Sequence, residues 1–269
     1  MQTGAPPAVG PCVLAIGGID PSGGAGLAAD ARAIQSSGGF ARLVPTCLTV
    51  QTSRAFVRAE AVRVETMLAM LDAAWSEGAV GAIKVGLCSE PWLAEALALW
   101  LRTRNVGRVP IVLDPVLGAT AGGFAPPPRL VQAIRELLVP LAAVVTPNLP
   151  ELAELAGAGG VVALLARGAN AVVVKGGHGS GPECVDRLFD ALGEHCVRNP
   201  RLDVGPVRGT GCAFAAALAT ALAHGAALRT ALGHASALVH ASLQATRRST
   251  DGSAVPLAVA PLTIPLREL

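Results

Sequence analysis

Short runs of apolar residues alternate with segments of helical periodicity along most of the chain. The apolar runs predict strands at 12–19, 43–50, 79–85, 109–113, 142–145 and 171–175, and a weaker hairpin at 186–197. The periodic segments predict helices at 26–37, 64–75, 91–101, 129–138, 148–155, 161–167, 211–224 and 227–244. Strands that alternate with helices are typical of an α/β protein with a mostly parallel sheet.

Polar residues or glycines follow the predicted strands at the points where the strands end. They are Asp20, Gln51, Lys84 to Gly86, Asp114 with Pro115, Thr146 to Asn148, and Lys175 to Gly177. Ligands of open α/β sheets bind outside the carboxyl ends of the strands. The pattern therefore predicts one shared crevice.

The chain shows no internal repeat and no linker rich enough to separate two domains. We therefore predict one domain over residues 12–269, preceded by a flexible segment at 1–11. The stretch 249–269 contains three prolines and weak periodicity, which predicts an irregular end.

Composition narrows the possible functions. Of 269 residues, 52% are hydrophobic and 15% charged, against about 25% charged in an average globular protein, so the chain should fold rather than remain disordered. The 21 basic and 19 acidic residues form no basic run, which argues against a nucleic-acid partner.

Several features favour a cytoplasmic protein without a membrane partner. The charge-free stretch 209–228 is rich in alanine and contains Thr210, Thr220 and His224, so it predicts a buried helix rather than a membrane span. Residues 1–11 lack the basic start and apolar core of a signal peptide. The six cysteines form no CxxC pair, so we expect neither a disulfide framework nor structural zinc.

Lysine is rare in this chain. Nineteen of the 21 basic residues are Arg, and the only lysines are Lys84 and Lys175, each close to glycine. Arginine and lysine differ in shape and hydration. The bias suggests that a compact ammonium group is required at both positions.

The glycine-rich loop 20–26 separates a predicted strand from a predicted helix. It fits a ligand contact or a plain tight turn, and residues 24–29 also match the loose GxGxx[GA] dinucleotide pattern. That pattern expects an acidic residue about 20 positions onward, where this chain has Gln51 and Thr52, so the dinucleotide interpretation is disfavoured. By position alone, Asp30 fits an exposed carboxylate on the following helix.

The sequence Gly209-Thr210-Gly211-Cys212 opens the most apolar predicted helix. Free N–H groups at a helix start, together with the helix dipole, form an anion site, although a plain glycine-rich helix start is the alternative. A cysteine in the first turn is expected to have a lowered pKa. We therefore predict that Cys212 alkylates readily at neutral pH and that substrate protects it.

Two carboxylates at strand ends are candidate metal ligands. Asp114 closes one predicted strand, and Glu151 follows Asn148 at the start of a helix. Together they could hold Mg²⁺ through water, although Glu151 alone also fits a carboxylate that complements the helix dipole.

Neither lysine is followed by Ser or Thr, so a Walker A phosphate loop is excluded. Asp186 and Asp190 fit surface positions on the hairpin.

Taken together, these motifs resemble the hydroxymethylpyrimidine/phosphomethylpyrimidine kinases of thiamine biosynthesis, within the ribokinase-like superfamily. The matching segments are IGGIDPSGGAGLAAD at 16–30, Gln51, IKVG at 83–86, LDPV at 113–116, TPNLPE at 146–151, VKGGH at 174–178 and GTGC at 209–212. They occur in the family's order. The sugar kinases of the superfamily have Asp in place of Cys212.

The resemblance implies a three-layer α/β/α ribokinase-like fold and two successive transfers of the ATP γ-phosphoryl group, first to 4-amino-5-hydroxymethyl-2-methylpyrimidine and then to its monophosphate. It also implies a role for each residue that occupies a matching position in these motifs. Gly18, Asp30 and Gln51 would border the pyrimidine; Lys175, Asn148 and Gly177 would face ATP; Asp114 and Glu151 would organise Mg²⁺; Gly209, Thr210, Gly211 and Cys212 would act on the transferring phosphoryl group. A homodimer is also expected.

The chain departs from the family pattern near the cleft. The segment 117–122 lacks a lysine, and Arg208 replaces the usual histidine before GTGC. Thr52 and Leu87 replace the usual Asn and Met. Two alternatives therefore stay open, namely a pyridoxal kinase and a non-catalytic regulator that binds a pyrimidine or nucleotide.

Overall fold

The computed structural model describes residues 10–105, 107, 109–118, 124–246 and 255–259. Its strands are β1 (Cys12–Ile19), β2 (Phe40–Gln51), β3 (Phe56–Ala61), β4 (Ala82–Val85), β5 (Ile111–Leu113), β6 (Val144–Val145), β7 (Val172–Val174), β8 (Glu183–Asp190), β9 (Gly193–Pro200), β10 (Val207–Arg208) and β11 (Val255–Pro256). Its helices are α1 (Gly26–Ser36), α2 (Val64–Ser76), α3 (Pro91–Arg104), α4 (Pro128–Ala133), α5 (Leu149–Ala156), α6 (Gly160–Ala166), α7 (Thr210–Ala223) and α8 (Leu228–Ala245).

The main sheet runs in the order β3-β2-β1-β4-β5-β6-β7-β8-β9. The strands from β2 to β7 in this order are parallel, whereas β3, β8 and β9 are antiparallel to their neighbours. The prediction of an α/β fold with a mostly parallel sheet is confirmed. The order brings the carboxyl ends of β1, β4, β5, β6 and β7 to one edge of the sheet.

Two hydrophobic cores lie on opposite faces of the sheet, which makes the three layers. Side chains of a strand alternate between faces. On β1, Cys12, Leu14 and Ile16 pack on the face covered by α2 to α6, whereas Val13 and Ala15 pack on the face covered by α1, α7 and α8. This alternation explains why β1 reads as a continuous apolar run.

Alanine lets α7 lie close to the sheet. Nine consecutive residues of α7, 213–221, are buried, and a Cβ on Gly81 would lie only 2.9 Å from the Ala223 Cβ. The buried helix predicted within 209–228 is confirmed.

Within the described residues, one helical stretch, Leu149–Ala166, is long and apolar enough to cross a membrane by length and composition alone. It is divided into α5, a turn of 3-10 helix at Gly157–Gly159, and α6.

Three elements differ from the prediction. The edge strand β3 was not predicted, because most of its side chains are exposed and its apolar alternation is weak. The helix predicted at 129–138 leaves the α-helical register after α4 for a π-helical turn at Ile134–Leu138, shortly before Pro140, whose ring lacks an N–H. Within the stretch 249–269 the structure describes only residues 255–259, where β11 pairs with β10.

Candidate active site

The carboxyl ends of the parallel strands border a cavity of about 440 Å³. The hairpin β8–β9, the start of α7 and one face of α8 complete its wall. All twelve residues assigned to a site from the sequence line this cavity: Gly18, Asp30, Gln51, Asp114, Asn148, Glu151, Lys175, Gly177, Gly209, Thr210, Gly211 and Cys212. The structure thus joins the predicted strand ends in one crevice.

A row of alternating carboxylates and ammonium groups lies at the bottom of the cavity. The Lys84 Nζ is 3.0 Å from Asp30 Oδ2 and 3.9 Å from Asp114 Oδ2. The Lys175 Nζ is 2.7 Å from Asp114 Oδ1 and 3.6 Å from Glu151 Oε2. Both lysines of the sequence therefore neutralise buried carboxylates in the same network.

Glycines leave room for the two ammonium groups. A Cβ on Gly86 would lie 2.6 Å from the Lys84 Nζ, and a Cβ on Gly211 would lie 3.2 Å from the Lys175 Nζ. A guanidinium group is larger and planar. The packing agrees with the expectation that a compact ammonium group is required at both positions.

Burial and neighbouring charges shift the pKa values along this row. Burial raises the pKa of Asp30 to about 6, against the lowering effect of Lys84. Burial also opposes ionisation of Asp114, but Lys175 and Lys84 hold the pKa of that carboxyl below its usual value. For Glu151, burial outweighs Lys175 and raises the pKa. The central carboxylate is thus the most firmly ionised of the three.

Asp30 is fully buried, so the interpretation of this residue as an exposed carboxylate is wrong. Helix α1 turns its Asp30 side chain toward the sheet, where Lys84 from β4 meets it. The Lys84 Nζ also lies 3.0 Å from the Asp30 Oδ1, although no described residue meets hydrogen-bond geometry with that oxygen.

A capping box orients Glu151 at the start of α5. The Asn148 Oδ1 accepts a hydrogen bond from the Glu151 N–H at 2.9 Å, and the Glu151 Oε2 accepts one from the Asn148 N–H at 2.8 Å. This reciprocal pair satisfies two N–H groups at the helix start. The Glu151 Oε1 accepts no hydrogen bond from the part of the chain that the structure describes.

The two predicted magnesium ligands do not form a ready metal site by themselves. The Lys175 ammonium group lies between Asp114 and Glu151, and the described residues contain no group of three or more His, Cys, Asp or Glu that could hold a metal ion. Glu151 is the carboxylate with a free oxygen at the cavity. Magnesium therefore fits here only if ATP phosphates supply most of its oxygen ligands.

The start of α7 has the geometry that the predicted anion site requires. Gly209 precedes the helix with a φ of +83°, which glycine adopts far more readily than other residues. A Cβ on Gly209 would lie 2.2 Å from the Gly24 carbonyl oxygen. No side chain caps this 14-residue helix, so its first N–H groups are available to an anion in the cavity.

The Cys212 thiol is not in the state predicted from the sequence. Burial raises the pKa of Cys212 to about 12 and outweighs the lowering effect of Lys84. The carboxylates of Asp30 and Asp114 contribute to the same increase. The expectation of a lowered pKa is wrong, because desolvation and nearby negative charge exceed the effect of the helix start.

The wall beside β1 is closely packed around Gly18. A Cβ on Gly18 would lie 3.0 Å from the Leu87 Cδ2 and 3.1 Å from the Cys47 Sγ. A larger residue at this position would displace Leu87, which also lines the cavity. Glycine at this position therefore leaves Leu87 and Cys47 in place.

Arg208 connects several loops around the cavity. This residue is buried, with 3% of its surface exposed. Its Nη2 donates hydrogen bonds to Asp20 Oδ2 at 2.9 Å and to Gln51 Oε1 at 2.6 Å. Its Nη1 donates to Ser22 Oγ at 3.1 Å and to the Thr52 carbonyl oxygen at 2.7 Å. From the sequence, Arg208 stood out only as a departure from the family pattern.

On the opposite side, Arg201 holds the loop that follows Lys175. Its guanidinium group donates hydrogen bonds to four backbone carbonyl oxygens, those of Gly176, Gly177, Gly181 and Glu183. This role of Arg201 was not predicted, because backbone acceptors leave no pattern in the side chains of the sequence.

Asp186 on the hairpin is buried and lines the cavity, so its predicted surface position is wrong. The Asp186 Oδ1 accepts a hydrogen bond from the Gly176 N–H at 2.8 Å, and its Oδ2 accepts one from the Ser236 Oγ at 2.7 Å. Ser236 also accepts a hydrogen bond from Asn199 at 2.8 Å. The packing of α8 against β8 and β9 accounts for the difference.

Three phenylalanines, Phe56, Phe124 and Phe214, also line the cavity without having been predicted there. The ring centroids of Phe56 and Phe124 are 5.3 Å apart, and the rings are tilted by 60°.

The segment 117–122, which departs from the family's sequence pattern, lies largely outside the described residues, since only Leu117 and Gly118 of it are described.

Comparisons with known proteins agree with the geometry. The sequence profile of the phosphomethylpyrimidine kinase family matches residues 20–257. A hydroxymethylpyrimidine/phosphomethylpyrimidine kinase from Rhizobium meliloti is 39% identical over 247 residues, which cover 87% of this chain and 91% of that protein.

Solved structures extend the likeness to the whole fold. The phosphomethylpyrimidine kinase from Clostridium difficile is 25% identical with a TM-score of 0.75, over 87% of this chain and 99% of that one. The pyridoxal kinase from Staphylococcus aureus in complex with AMP-PCP and pyridoxal is 25% identical with a TM-score of 0.84, over 95% and 96% of the two chains.

Proposed function

This chain belongs to the phosphomethylpyrimidine kinase family, and from that premise we propose that it phosphorylates 4-amino-5-hydroxymethyl-2-methylpyrimidine and then its monophosphate in thiamine biosynthesis. It is a phosphotransferase that uses ATP. One observation carries the proposal: the start of α7, Lys175 and Glu151 meet in the same cavity as Gln51. An anion site thus lies between a polar ring-binding side chain and a charged network.

The two ends of the cavity suit the two substrates. Gly18 and Gln51 line one end, where the Gln51 side chain both donates and accepts hydrogen bonds, which suits an aminopyrimidine. At the other end, Val239 and Leu243 lie on one face of α8 and provide an apolar wall for the adenine ring. Lys175 and Gly177 also line the cavity, and in this arrangement they reach the phosphates.

Phosphoryl transfer requires positioning and charge stabilisation more than covalent chemistry. The substrate hydroxyl oxygen forms a bond to the γ-phosphorus, the bond to the β–γ bridging oxygen breaks and ADP leaves, while the hydroxyl proton passes to an oxygen of the transferred phosphoryl group. The N–H groups of residues 209–212 donate to the equatorial oxygens as charge spreads over them. The positive end of the α7 dipole adds to this stabilisation.

The raised pKa of Cys212 changes its proposed part in the reaction. A thiol with a pKa of about 12 is protonated at neutral pH, so it does not act as a thiolate base before the transfer begins. A loose transition state does not require early loss of the hydroxyl proton. We therefore keep Cys212 in the catalytic set as a neutral group that hydrogen-bonds beside the transferring phosphoryl group.

Magnesium is part of the proposal through Glu151. When bound with ATP, the ion neutralises phosphate charge. The free Glu151 Oε1 would contribute to holding it, directly or through water. Asp114 acts behind Glu151, because it fixes Lys175 at 2.7 Å and so positions the ammonium group that faces the phosphates.

Pyridoxal kinase activity is the second candidate, and the likeness to the Staphylococcus aureus pyridoxal kinase favours it. Pyridoxal also carries a hydroxymethyl group on a heteroaromatic ring. The higher identity to the Rhizobium meliloti enzyme supports the pyrimidine instead.

We further propose that the enzyme acts in the cytoplasm as a homodimer, without a nucleic-acid or membrane partner. Leu48, Val50 and Val57 on β2 and β3 are exposed apolar residues on neighbouring strands, and such patches commonly bind another protein surface. Light scattering on the purified protein gives the mass directly.

A coupled ADP-release assay tests the proposed function. Wild-type protein with Mg-ATP should release ADP with the hydroxymethylpyrimidine and with its monophosphate, and much less with pyridoxal. Glu151→Gln preserves the capping box but removes the charge, and should lower turnover at least tenfold. The control Glu183→Gln, in an exposed ion pair with Arg198, should keep wild-type turnover. Activity on pyridoxal alone would refute the pyrimidine assignment.

A further inference from the structure

The side-chain amide of Gln51 is held at both of its polar atoms. Its Oε1 accepts a hydrogen bond from the Arg208 Nη2 at 2.6 Å. Its Nε2 donates one to the Thr49 Oγ1 at 2.7 Å, and that hydroxyl group donates its own proton to the Ile19 carbonyl oxygen at 2.9 Å. The Thr49 oxygen is therefore only an acceptor toward Gln51.

These partners allow only one orientation of the amide. A flip by 180° would place the Gln51 NH₂ group against the Arg208 guanidinium, which has only donors. It would also place the Gln51 oxygen against the Thr49 oxygen, whose proton is already used. Both hydrogen bonds would be replaced by unfavourable contacts, and leaving such buried groups unpaired is costly.

Arg208 is itself fixed, so the orientation of Gln51 does not drift. Its guanidinium group forms an ion pair with Asp20 at 2.9 Å, and both residues are almost fully buried. It also donates hydrogen bonds to Ser22 and to the Thr52 carbonyl oxygen. Four of its hydrogen bonds thus anchor one planar group between the β1–α1 loop and the end of β2.

We propose that Arg208 is a positioning residue that sets the substrate preference of the cavity, because it fixes the direction in which Gln51 presents its free donor and its free acceptor. The inference rests on the proposed function and deepens it. It assigns to Arg208 an effect on which ring substrate the enzyme prefers. The other cavity residues carry out the phosphoryl transfer itself.

The substrates differ at the position that a fixed amide can recognise. Next to the hydroxymethyl group, the aminopyrimidine carries an exocyclic amine, which donates, beside a ring nitrogen, which accepts. Pyridoxal carries an aldehyde oxygen, which accepts, beside a ring hydroxyl group. A fixed Gln51 pairs its oxygen with the amine and its remaining N–H with the ring nitrogen. The same orientation sets the Gln51 oxygen against the aldehyde oxygen, and a site built for hydrogen bonding rejects such a mismatch strongly.

The test compares both substrates on the same protein preparation. The ratio of kcat/KM for the hydroxymethylpyrimidine to kcat/KM for pyridoxal cancels any loss of folded protein. Arg208→Lys keeps the charge beside Asp20 but cannot hold Gln51 and Thr52 in the same plane. Thr49→Val removes the second restraint without changing the size of the side chain. Each variant should lower the ratio about tenfold, mainly through a higher KM for the pyrimidine and with little change in kcat.

The control is Arg198→Lys on the exposed β8–β9 hairpin, which should keep the wild-type ratio. A ratio that stays within about twofold of wild type in both Arg208→Lys and Thr49→Val would overturn the proposal. If Arg208→Lys does not fold, Thr49→Val decides alone.

An NMR measurement separates this proposal from the proposed function. The side-chain amide signals of Gln51, assigned by their loss in Gln51→Glu, should show slow hydrogen exchange in the wild type and faster exchange in both variants. Wild-type protein that phosphorylates none of the substrates would refute the proposed function, and the amide signals would still decide whether Arg208 fixes Gln51. Equal exchange in wild type and variants would overturn the positioning role whatever the activity.

Discussion

At the scale of single residues, the two lysines determine the electrostatics of the cavity. Burial alone would lower the pKa of each lysine. The Asp30 carboxylate nevertheless raises the pKa of Lys84, and the Asp114 carboxylate raises the pKa of Lys175. Both ammonium groups stay charged throughout the neutral range. Their removal would leave carboxylates buried without a counter-charge.

We expect Lys84→Met to lower the free energy of unfolding by about 3–5 kcal/mol, because removing one partner of a buried ion pair leaves the other uncompensated. Arg198→Met, in the half-exposed pair with Glu183, should cost about 0–1 kcal/mol. Urea unfolding of both variants measures the difference. Equal losses would contradict a buried network.

Cys212 should react slowly with iodoacetamide at neutral pH, because burial raises its pKa to about 12 and keeps the thiol protonated. Cys196 on β9 has the same intermediate exposure as Cys212 but is not among the described residues that line the cavity, so it provides the comparison within the same protein. Peptide mass spectrometry after timed alkylation follows both thiols, and urea-unfolded protein should label at all six cysteines. Rapid labelling of Cys212 that substrate prevents would support the low pKa expected from the sequence instead.

At the scale of elements, a buried histidine joins α8 to the end of α1. The His234 Nε2 lies 2.9 Å from the Ser37 Oγ, and no described residue hydrogen-bonds its Nδ1. His224, at the end of α7, contacts the Ser37 carbonyl oxygen at 3.2 Å. Burial, with a smaller contribution from His224, lowers the pKa of His234 to about 4.

This contact should make stability depend on pH. A histidine in the unfolded chain has a pKa of about 6.5, so below that pH the unfolded state takes up a proton before the folded state does. Stability is therefore complete above about pH 6.5 and decreases toward pH 4, by as much as about 3 kcal/mol from this group. Urea unfolding across this range should show a smaller decrease for His234→Gln than for wild type. His195→Gln on β9 is the control, and an unchanged slope in His234→Gln would refute the assignment.

At the scale of the whole molecule, both hydrophobic cores pack against the same sheet. The strand order is continuous from β3 to β9, and the cavity draws its wall from both ends of that order. Both cores include side chains of the same strands, so unfolding of those strands around one core would also expose the other core. The domain predicted over residues 12–269 should therefore unfold as one unit.

Calorimetry should show a single unfolding transition with equal calorimetric and van't Hoff enthalpies. A non-hydrolysable ATP analogue at about 100 times its Kd should stabilise the whole transition by about 2.7 kcal/mol. Two transitions, of which the analogue shifts only one, would show separate folding units.

The sequence by itself determined the features that depend on neighbours along the chain. The apolar runs and helical periods specified the layers, because alternation and the 3.6-residue period are local. The polar residues at the strand ends specified the cavity, because parallel strands end at one edge. The helix start at 209–212, with its proposed anion site, followed from a glycine-rich sequence before an apolar helix. Each of these could be predicted from a few consecutive residues.

Only the tertiary structure decided the chemical state and the partners of the side chains in that cavity. Desolvation by distant segments raised the pKa of Cys212, and the packing of α8 buried Asp186, whereas their sequence positions indicated a reactive thiol and a surface carboxylate. Arg208 meets Asp20 across 188 positions of the chain. Burial and electrostatics depend on which segments the fold brings together. A pattern in neighbouring residues does not show which segments, far apart in the chain, will meet.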